Sequence, residues 1–165
     1  MRLSWLWLCL PALAQADGSE VVRAALTPRC ALEADIRRDE QPACWRLDCV
    51  DQSPRELGCD LTAMHQVAGL SPDASGEWLA VLSVGEGHPF VEVVPLAPWL
   101  DQGRYLAQCT INPYPGTIDV ESWNGGSLWL SSDVDLQQAE GERSLPETDW
   151  LRYALRPQDC ALTRR

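Results

Sequence analysis

The alternation of apolar and polar residues predicts short β-strands along nearly the whole chain. After the first 16 residues helical periodicity is almost absent, and Gly, Pro, Asn or Asp breaks the apolar runs about every ten residues. One run, Trp78–Val84, is apolar at both odd and even positions, which is typical of a strand covered on both faces. It directly follows the polar stretch Ser71–Glu77. The pattern therefore predicts a turn that leads straight into a buried strand.

The segment Thr117–Leu136 predicts the clearest hairpin. Between Ile118 and Glu121 aliphatic and acidic residues alternate, so one face of the strand is apolar and the other is acidic. Asn124–Gly126 then supplies residues that tolerate positive φ, and Leu128–Leu130 begins the return strand. A second antiparallel pair is predicted from Trp78–Val84 and the apolar run Phe90–Leu96.

Weak internal repetition suggests two or three copies of one four-stranded unit. Cys59–Thr62 resembles Cys160–Thr163, and each follows a polar turn after a strand with an aromatic near its start, Trp45–Cys49 or Trp150–Leu155. A third copy runs from Val91–Leu96 through a turn at Asp101–Gly103 to Tyr105–Cys109. A chance match of four residues is the alternative.

The first 16 residues have the features of a secretory signal peptide. Arg2 precedes the apolar run Leu3–Leu13, and Ala14–Ala16 forms an A-x-A cleavage site. The run is too short for a membrane anchor, which needs about 20 apolar residues. We expect cleavage after Ala16, a single domain over residues 17–165 and export to the periplasm or beyond.

The charge of the chain is strongly acidic. All 13 basic residues are arginine, against 24 acidic residues, for a formal net charge of −11. Such a chain repels nucleic acid and anionic membrane surfaces, so we expect neither nucleic-acid binding nor membrane insertion. A basic protein partner fits the charge, and a solvated acidic surface is the alternative.

Six cysteines remain after the predicted cleavage, an even number that indicates three disulfides in an oxidising compartment. They are Cys30, Cys44, Cys49, Cys59, Cys109 and Cys160. The sequence does not define their pairing. With no C-x-x-C pair and only two histidines, we expect no metal site and no cofactor.

Ser71-Pro72-Asp73, followed after Ala74-Ser75 by Gly76-Glu77-Trp78-Leu79-Ala80-Val81, resembles the S-P-D-G signature of TolB-type, WD40-like β-propeller blades. In such a turn Pro restricts φ, the Asp side chain bonds the backbone and Gly adopts positive φ. The two inserted residues depart from the signature. Residues 17–165 hold at most three units of about 40 residues, so the resemblance implies an open, propeller-like fragment.

A second resemblance is architectural only. Size, export, disulfides and blade-like sheets are similar to those of periplasmic immunity proteins that neutralise cell-wall amidases delivered by type VI secretion. Those proteins block the toxin with a loop between strands. In this chain the resemblance implies that Gly85–Pro89 is the blocking loop.

A partner-binding site is expected on that loop because recognition usually lies in loops on a rigid scaffold. The candidate residues are Gly85, Glu86, Gly87, His88, Pro89, Phe90 and Trp123. The alternatives are an ordinary hairpin connection for the loop and simple aromatic packing for Trp123.

Catalytic candidates are weak, and we expect no enzyme. Asp133 and Asp135 could share a strand face and act as an acid–base pair, or they could form a solvent-facing acidic pair at a strand end. His88 lies near Ser83, but nothing in the sequence orients the two, and His65 is expected in a turn or in the core.

The sequence is thus interpreted as a disulfide-stapled, all-β domain made of antiparallel, blade-like sheets, which binds another protein. An inhibitor or immunity protein is the first hypothesis. A non-catalytic accessory protein of envelope assembly is the alternative, and a small hydrolase centred on Asp133 and Asp135 is the third. The partner and the oligomeric state stay open.

Overall fold

The structure, a computed structural model, describes residues 20–36, 43–59, 66–85, 87–137, 145–146 and 149–165. The predicted signal peptide, residues 1–16, lies outside these ranges. His65 and Glu86 lie outside them as well. The described part of the chain holds no helix with the length and hydropathy needed to cross a membrane.

The described elements are strands, apart from one short helix, and the predicted all-β class is confirmed. The elements are β1 Glu20–Thr27, β2 Cys30–Ile36, β3 Cys44–Cys49, β4 Arg55–Cys59, β5 Gln66–Pro72, β6 Trp78–Gly85, β7 His88–Pro95, α1 Leu96–Gln102, β8 Cys109–Ile111, β9 Ile118–Asn124, β10 Ser127–Ser132, β11 Leu151–Arg156 and β12 Ala161–Arg164.

The strands form three four-stranded antiparallel sheets, each built from four consecutive strands. Sheet 1 has the order β1-β2-β3-β4, sheet 2 the order β5-β6-β7-β8, and sheet 3 the order β9-β10-β11-β12. Within each sheet, strands that are consecutive in sequence pair with each other, because short connections favour antiparallel neighbours. The four-stranded unit expected from the sequence therefore occurs three times.

Sheet 2 is buried on both faces. On β6, Leu79 and Val81 pack toward sheet 1 in a cluster that includes Trp45, whereas Ala80 packs toward sheet 3 in a cluster that includes Leu128. All five residues are at most 1% exposed. Both the odd and the even positions of β6 are apolar because the strand lies between two other sheets, as the sequence predicted.

The contact between sheets 1 and 2 is rich in aromatic residues. Trp99 of α1 packs edge-on against Trp45, with ring centroids 5.0 Å apart, and against Tyr105 at 4.9 Å. The Tyr105 hydroxyl donates a hydrogen bond of 2.9 Å to Glu92, which is itself buried. Burial, followed by the neighbouring Glu92 carboxylate, raises the pKa of Tyr105. Trp99 is thus a core residue.

The turn between β5 and β6 has the chemistry that the sequence predicted. The Asp73 carboxylate accepts hydrogen bonds from the Trp78 amide at 2.8 Å and from the Ser75 amide at 3.1 Å. Gly76 has a φ of 74°, a conformation that glycine adopts without steric cost. Although burial opposes its ionisation, the hydrogen bonds from Ser75 and Trp78 lower the pKa of Asp73.

The predicted hairpin after Thr117 is confirmed as β9 and β10. Gly125 and Gly126 have φ values of 56° and 77°, so both central turn residues use positive φ. The register shifts between Trp129 and Leu130, which leaves Glu121 as an extra residue in β9. This bulge lies on a strand at the edge of sheet 3, where bulges are common.

All six predicted cysteines are oxidised in three disulfides. Cys30 pairs with Cys49 and Cys44 with Cys59, so both of these bonds lie between neighbouring strands of sheet 1. The third, between Cys109 and Cys160, joins sheet 2 to sheet 3. Disulfides persist in oxidising environments, so the chain is suited to an oxidising, extracellular compartment.

The short repeat match is only partly reflected in the structure. Trp45–Cys49 and Trp150–Leu155 do cover the third strands of their sheets, β3 and β11. The cysteines differ, because Cys59 is the last residue of β4 whereas Cys160 precedes β12. The predicted turn at Asp101–Gly103 is only partly right, since Asp101 and Gln102 belong to α1 and only Gly103, with a φ of 67°, turns the chain. The repeat is in the strand order and not in the cysteine register.

The outer face of sheet 1 carries a row of side chains with alternating charge. Arg23, Glu33, Arg46 and Glu56 lie opposite one another across β1 to β4. Glu33 is 5% exposed and contacts the guanidinium groups of Arg23, at 3.0 Å, and Arg46. A sheet face that satisfies its own charges in this way resembles the polar cap that terminates a stack of repeats.

Candidate protein-binding site

The predicted binding loop is a tight turn at the end of the β6–β7 hairpin. Gly85 and His88 are the last paired residues of the two strands, so only residues 86 and 87 connect them. Gly87 has a φ of 84°. The loop is thus shorter than the expected Gly85–Pro89 because the strands remain paired up to its ends. Glu86 lies outside the described residues.

The turn is joined by an exposed aromatic side chain from another connection. Tyr114 lies between β8 and β9, and its ring contacts the His88 ring edge-on with a centroid distance of 4.8 Å. Tyr114 is 68% exposed, whereas His88 is half-buried. Gly87, His88 and Tyr114 form what we call the His88–Tyr114 surface.

The connection that carries Tyr114 is held rigidly at both ends. The Tyr114 amide donates a hydrogen bond of 3.0 Å to the Asn112 side chain, and the Gly116 amide donates one of 2.8 Å to the Pro113 carbonyl. Pro113 and Gly116 are buried on either side of the exposed tyrosine. Local turns of this kind reduce the entropy that the aromatic ring loses when it binds a partner.

Asp133 anchors this same connection. Its Oδ1 atom accepts a hydrogen bond of 2.6 Å from the Thr117 amide, and the neighbouring Ser132 hydroxyl donates one of 2.7 Å to the Thr117 carbonyl. A Cβ atom added at Gly116 would lie 2.5 Å from both Asp133 Oδ1 and Val134 Cγ1. Only glycine therefore permits the close approach of these two segments.

Asp135 has a different set of partners. Its Oδ1 atom accepts hydrogen bonds from the Tyr153 hydroxyl at 2.9 Å and from the Gln137 amide at 3.0 Å, and Arg164 lies 3.4 Å from Oδ2. The Tyr153 hydroxyl in turn accepts a bond of 3.1 Å from the Leu136 amide. Burial, followed by the hydrogen bond to Asp135, raises the pKa of Tyr153 to about 12.

Both sequence-based readings of the acidic pair are therefore wrong about its position. β10 ends at Ser132, so Asp133 and Asp135 do not share a strand face, and at 7% and 9% exposure neither faces solvent. They hold two separate segments in place. The described residues contain no group of three potential metal ligands among His, Cys, Asp and Glu.

The other residues that the sequence suggested for the binding site are partly or fully buried and pack within the fold. Phe90 is 3% exposed, and Ser83, paired with it on β6, is fully buried. The Trp123 indole donates a hydrogen bond of 2.8 Å to the Ser71 carbonyl and packs in the contact between sheets 2 and 3. Pro89 is half-buried beside His88 at the start of β7.

Tyr114 is the residue that sequence reasoning missed. The signal was present as Asn112-Pro113-Tyr114-Pro115-Gly116, a large aromatic residue between two prolines in an evident turn. Its proximity to His88, 26 positions earlier by their residue numbers, depends on the packing of sheets 2 and 3.

The fold and this surface define a disulfide-braced, all-β protein in which an exposed tyrosine packs against a half-buried histidine at one end of the middle sheet. No protein-family model matches the chain, and no curated protein matches it significantly in sequence.

Proposed function

We propose that this protein is an exported binding module that recognises another protein through the His88–Tyr114 surface. The observation that carries the proposal is the exposure of the Tyr114 ring on a scaffold of paired strands. Exposed tyrosines supply a large contact area with few rotatable bonds, and they are enriched among the residues that dominate binding energy. The described residues flanking Tyr114 are buried or turn-forming, so little ordering is needed on binding.

The partner class that we propose is an enzyme that the protein inhibits, as an immunity protein does. The end of the β6–β7 hairpin, together with the neighbouring Tyr114 ring, would insert into a concave site of that enzyme. The partner would lie in the same compartment, and we propose the periplasm, reached through the signal peptide that the first 16 residues predict. The three disulfides support such an oxidising environment.

We also propose that the three sheets are related to TolB-type propeller blades. In support, the first strand of each sheet contacts the first strand of the next, β1 with β5 and β5 with β9. Blades around a propeller axis place their first strands in this way.

The experiment compares variants of the His88–Tyr114 surface with a control variant at an equally exposed position. Tyr114 and Leu106 are 68% and 65% exposed, but only Tyr114 belongs to the His88–Tyr114 surface. Wild-type, Tyr114→Ala, His88→Ala and Leu106→Ala proteins are immobilised and exposed to envelope extract, and the captured partner is then purified for calorimetry. We expect one-to-one binding that weakens about tenfold or more for Tyr114→Ala and His88→Ala, and that is unchanged for Leu106→Ala.

Equal binding by all four proteins would refute the proposal. Circular dichroism and thermal unfolding of each variant establish that any loss of binding is not a loss of fold. If the purified partner is an enzyme, inhibition by wild-type protein that is absent with Tyr114→Ala supports the inhibitor class. If the wild-type protein binds the partner without changing its activity, the inhibitor class is excluded and only a binding function is supported.

A further inference from the structure

Two of the three disulfides form a closely matched pair within sheet 1. Cys30–Cys49 joins β2 to β3, and Cys44–Cys59 joins β3 to β4. In each bond the two cysteines lie directly opposite each other on antiparallel strands, with Cα atoms 4.1 Å apart. Because the two bonds have the same arrangement, a difference in their reactivity would come from their surroundings.

The two bonds differ in how easily a thiol from solution reaches a sulfur atom. Both cysteines of the Cys30–Cys49 bond are half-buried. Cys59 is exposed, because it is the last residue of β4 and β4 forms one edge of sheet 1. Thiol–disulfide exchange requires that a thiolate reaches one of the two sulfurs, so exposed disulfides are the labile ones. Access therefore favours attack at Cys59.

The part of β4 that carries Cys59 has few other attachments. The pairing of β4 with β3 is interrupted by a bulge, in which Leu57 is the extra residue, and a bulge disrupts the ladder locally. Beyond the bulge only two residues of β4, Gly58 and Cys59, are paired with β3. By contrast, β2 and β3 pair in continuous register next to the Cys30–Cys49 bond. The end of β4 thus depends on its disulfide more than β2 does.

The third disulfide differs in its leaving group. Cys160 is exposed, but its partner Cys109 is 4% exposed and packs in the apolar contact between sheets 2 and 3. Attack at Cys160 would leave the negative charge on the buried Cys109 sulfur, and apolar burial disfavours a thiolate. Attack at Cys59 leaves the charge on Cys44, which is half-buried. Cys44–Cys59 therefore combines an accessible sulfur with the better leaving group.

We propose that the Cys44–Cys59 disulfide is a redox switch, which a dithiol reductant opens before the other two disulfides and which then releases the end of β4. A thiolate of the reductant attacks Cys59 Sγ, the S–S bond breaks, and the electron pair leaves on Cys44 Sγ, which takes up a proton. The second thiolate of the reductant then attacks the reductant's sulfur in the mixed disulfide. Cys59 leaves as a thiolate and is protonated, so two electrons pass to the protein and the reductant becomes a disulfide.

The two states of the switch differ at the edge of sheet 1. In the oxidised state the disulfide holds Gly58 and Cys59 against β3. In the reduced state this pairing is lost, and the backbone groups of β3 at Cys44 and Trp45 are uncovered as a new sheet edge, which an extended chain can pair with. The switch lies in sheet 1, away from the His88–Tyr114 surface, and goes beyond the proposed function.

The test treats the folded, oxidised protein with increasing concentrations of dithiothreitol and traps free thiols with N-ethylmaleimide. Peptide mass spectrometry measures the labelling of each cysteine. We expect Cys44 and Cys59 to be labelled about tenfold faster or more than the other four cysteines, because access and the leaving thiolate control exchange. Hydrogen exchange of the partly reduced protein should increase in β4 and stay unchanged in β2.

Two double variants are the matched controls. Protein with Cys44→Ala and Cys59→Ala should lack the fast labelling and should show the raised hydrogen exchange of β4 without reductant. Protein with Cys30→Ala and Cys49→Ala should keep the fast labelling of the remaining pair in sheet 1. If either variant fails to fold, the order of labelling in the wild-type protein still decides the question.

Three results would overturn the assignment. The first is that Cys30 and Cys49 are labelled as fast as Cys44 and Cys59. The second is that all six cysteines are labelled together, with loss of the circular dichroism signal, because the bonds then open only on global unfolding. The third is unchanged hydrogen exchange of β4 after selective reduction, which would leave a reducible bond that switches nothing.

Discussion

At the scale of single residues, Asp73 shows how one carboxylate organises a turn. Its two oxygens accept hydrogen bonds from Trp78 and Ser75, and the Asp73 amide donates one of 2.9 Å to the Trp78 carbonyl. These bonds close the segment that connects β5 to β6. Because the carboxylate is charged, the two bonds that it accepts are stronger than neutral hydrogen bonds.

We expect Asp73→Ala to destabilise the protein by about 1 to 3 kcal/mol, since it leaves turn amides without their charged acceptor. Asp101→Ala, a change at an exposed acidic position, is the control and should have little effect. Urea unfolding followed by tryptophan fluorescence measures both. Equal stability of the two variants would contradict the role given to Asp73.

Asp73 also predicts a pH dependence. The pKa of Asp73 is lower in the folded protein than in the unfolded chain, so the unfolded chain binds the proton first as the pH falls. The stabilisation is therefore complete above the unfolded pKa of about 3.9 and is lost as the pH falls through the folded pKa. The stability difference between wild type and Asp73→Ala should shrink over that acidic range, and a constant difference would oppose this assignment.

At the scale of elements, the connection between β8 and β9 is positioned by the segment that follows β10. Gly116 approaches Asp133 and Val134 so closely that a Cβ atom does not fit, and Thr117 is hydrogen-bonded to Asp133. The position of Tyr114 thus depends on a contact between two segments that belong to different hairpins.

We expect Gly116→Ala to cost about 1 to 3 kcal/mol of stability, because the new methyl group forces one segment away from the other. Gly69→Ala is the matched control, since the nearest atom to its added Cβ lies at an ordinary 3.7 Å. Chemical denaturation compares the two. Tolerance of alanine at 116 but not at 69 would reverse this interpretation.

At the scale of the whole molecule, three sheets are stacked with the middle one covered on both sides, and one disulfide joins two of them. Cys109–Cys160 spans 51 residues, whereas Cys44–Cys59 spans 15 within sheet 1. The polymer model of disulfide stabilisation assigns more stability to a longer closed loop, about 4 kcal/mol against about 3.

Replacing Cys109 and Cys160 with alanine should therefore destabilise the protein more than replacing Cys44 and Cys59. It should also weaken the attachment of sheet 3, because the covalent link between sheets is lost. Hydrogen exchange of β9 to β12 tests this, with the Cys44/Cys59 double variant as the comparison. Selective loss of protection in sheet 3 is expected only for the first variant.

The fold class was accessible from the sequence because its signals are local. The turn at Asp73, the buried strand from Trp78 and the glycine turn before Ser127 each depend on residues a few positions apart. The helix α1 was missed because its seven residues, with Pro98 in the first turn, are too few to show helical periodicity. Asp133 and Asp135 were misplaced because strand ends depend on cross-strand pairing, which a single segment does not reveal.

By itself the sequence determined which segments become strands, where the chain turns, which strand is buried on both faces and that six cysteines pair. Those properties follow from backbone preferences and hydrophobicity over short windows. Only the tertiary structure decided which cysteines meet, that Tyr114 contacts His88, and that Arg165 stacks on Trp129. Each of these pairs comes from distant parts of the chain, so its formation depends on strand register and on the packing of complete sheets.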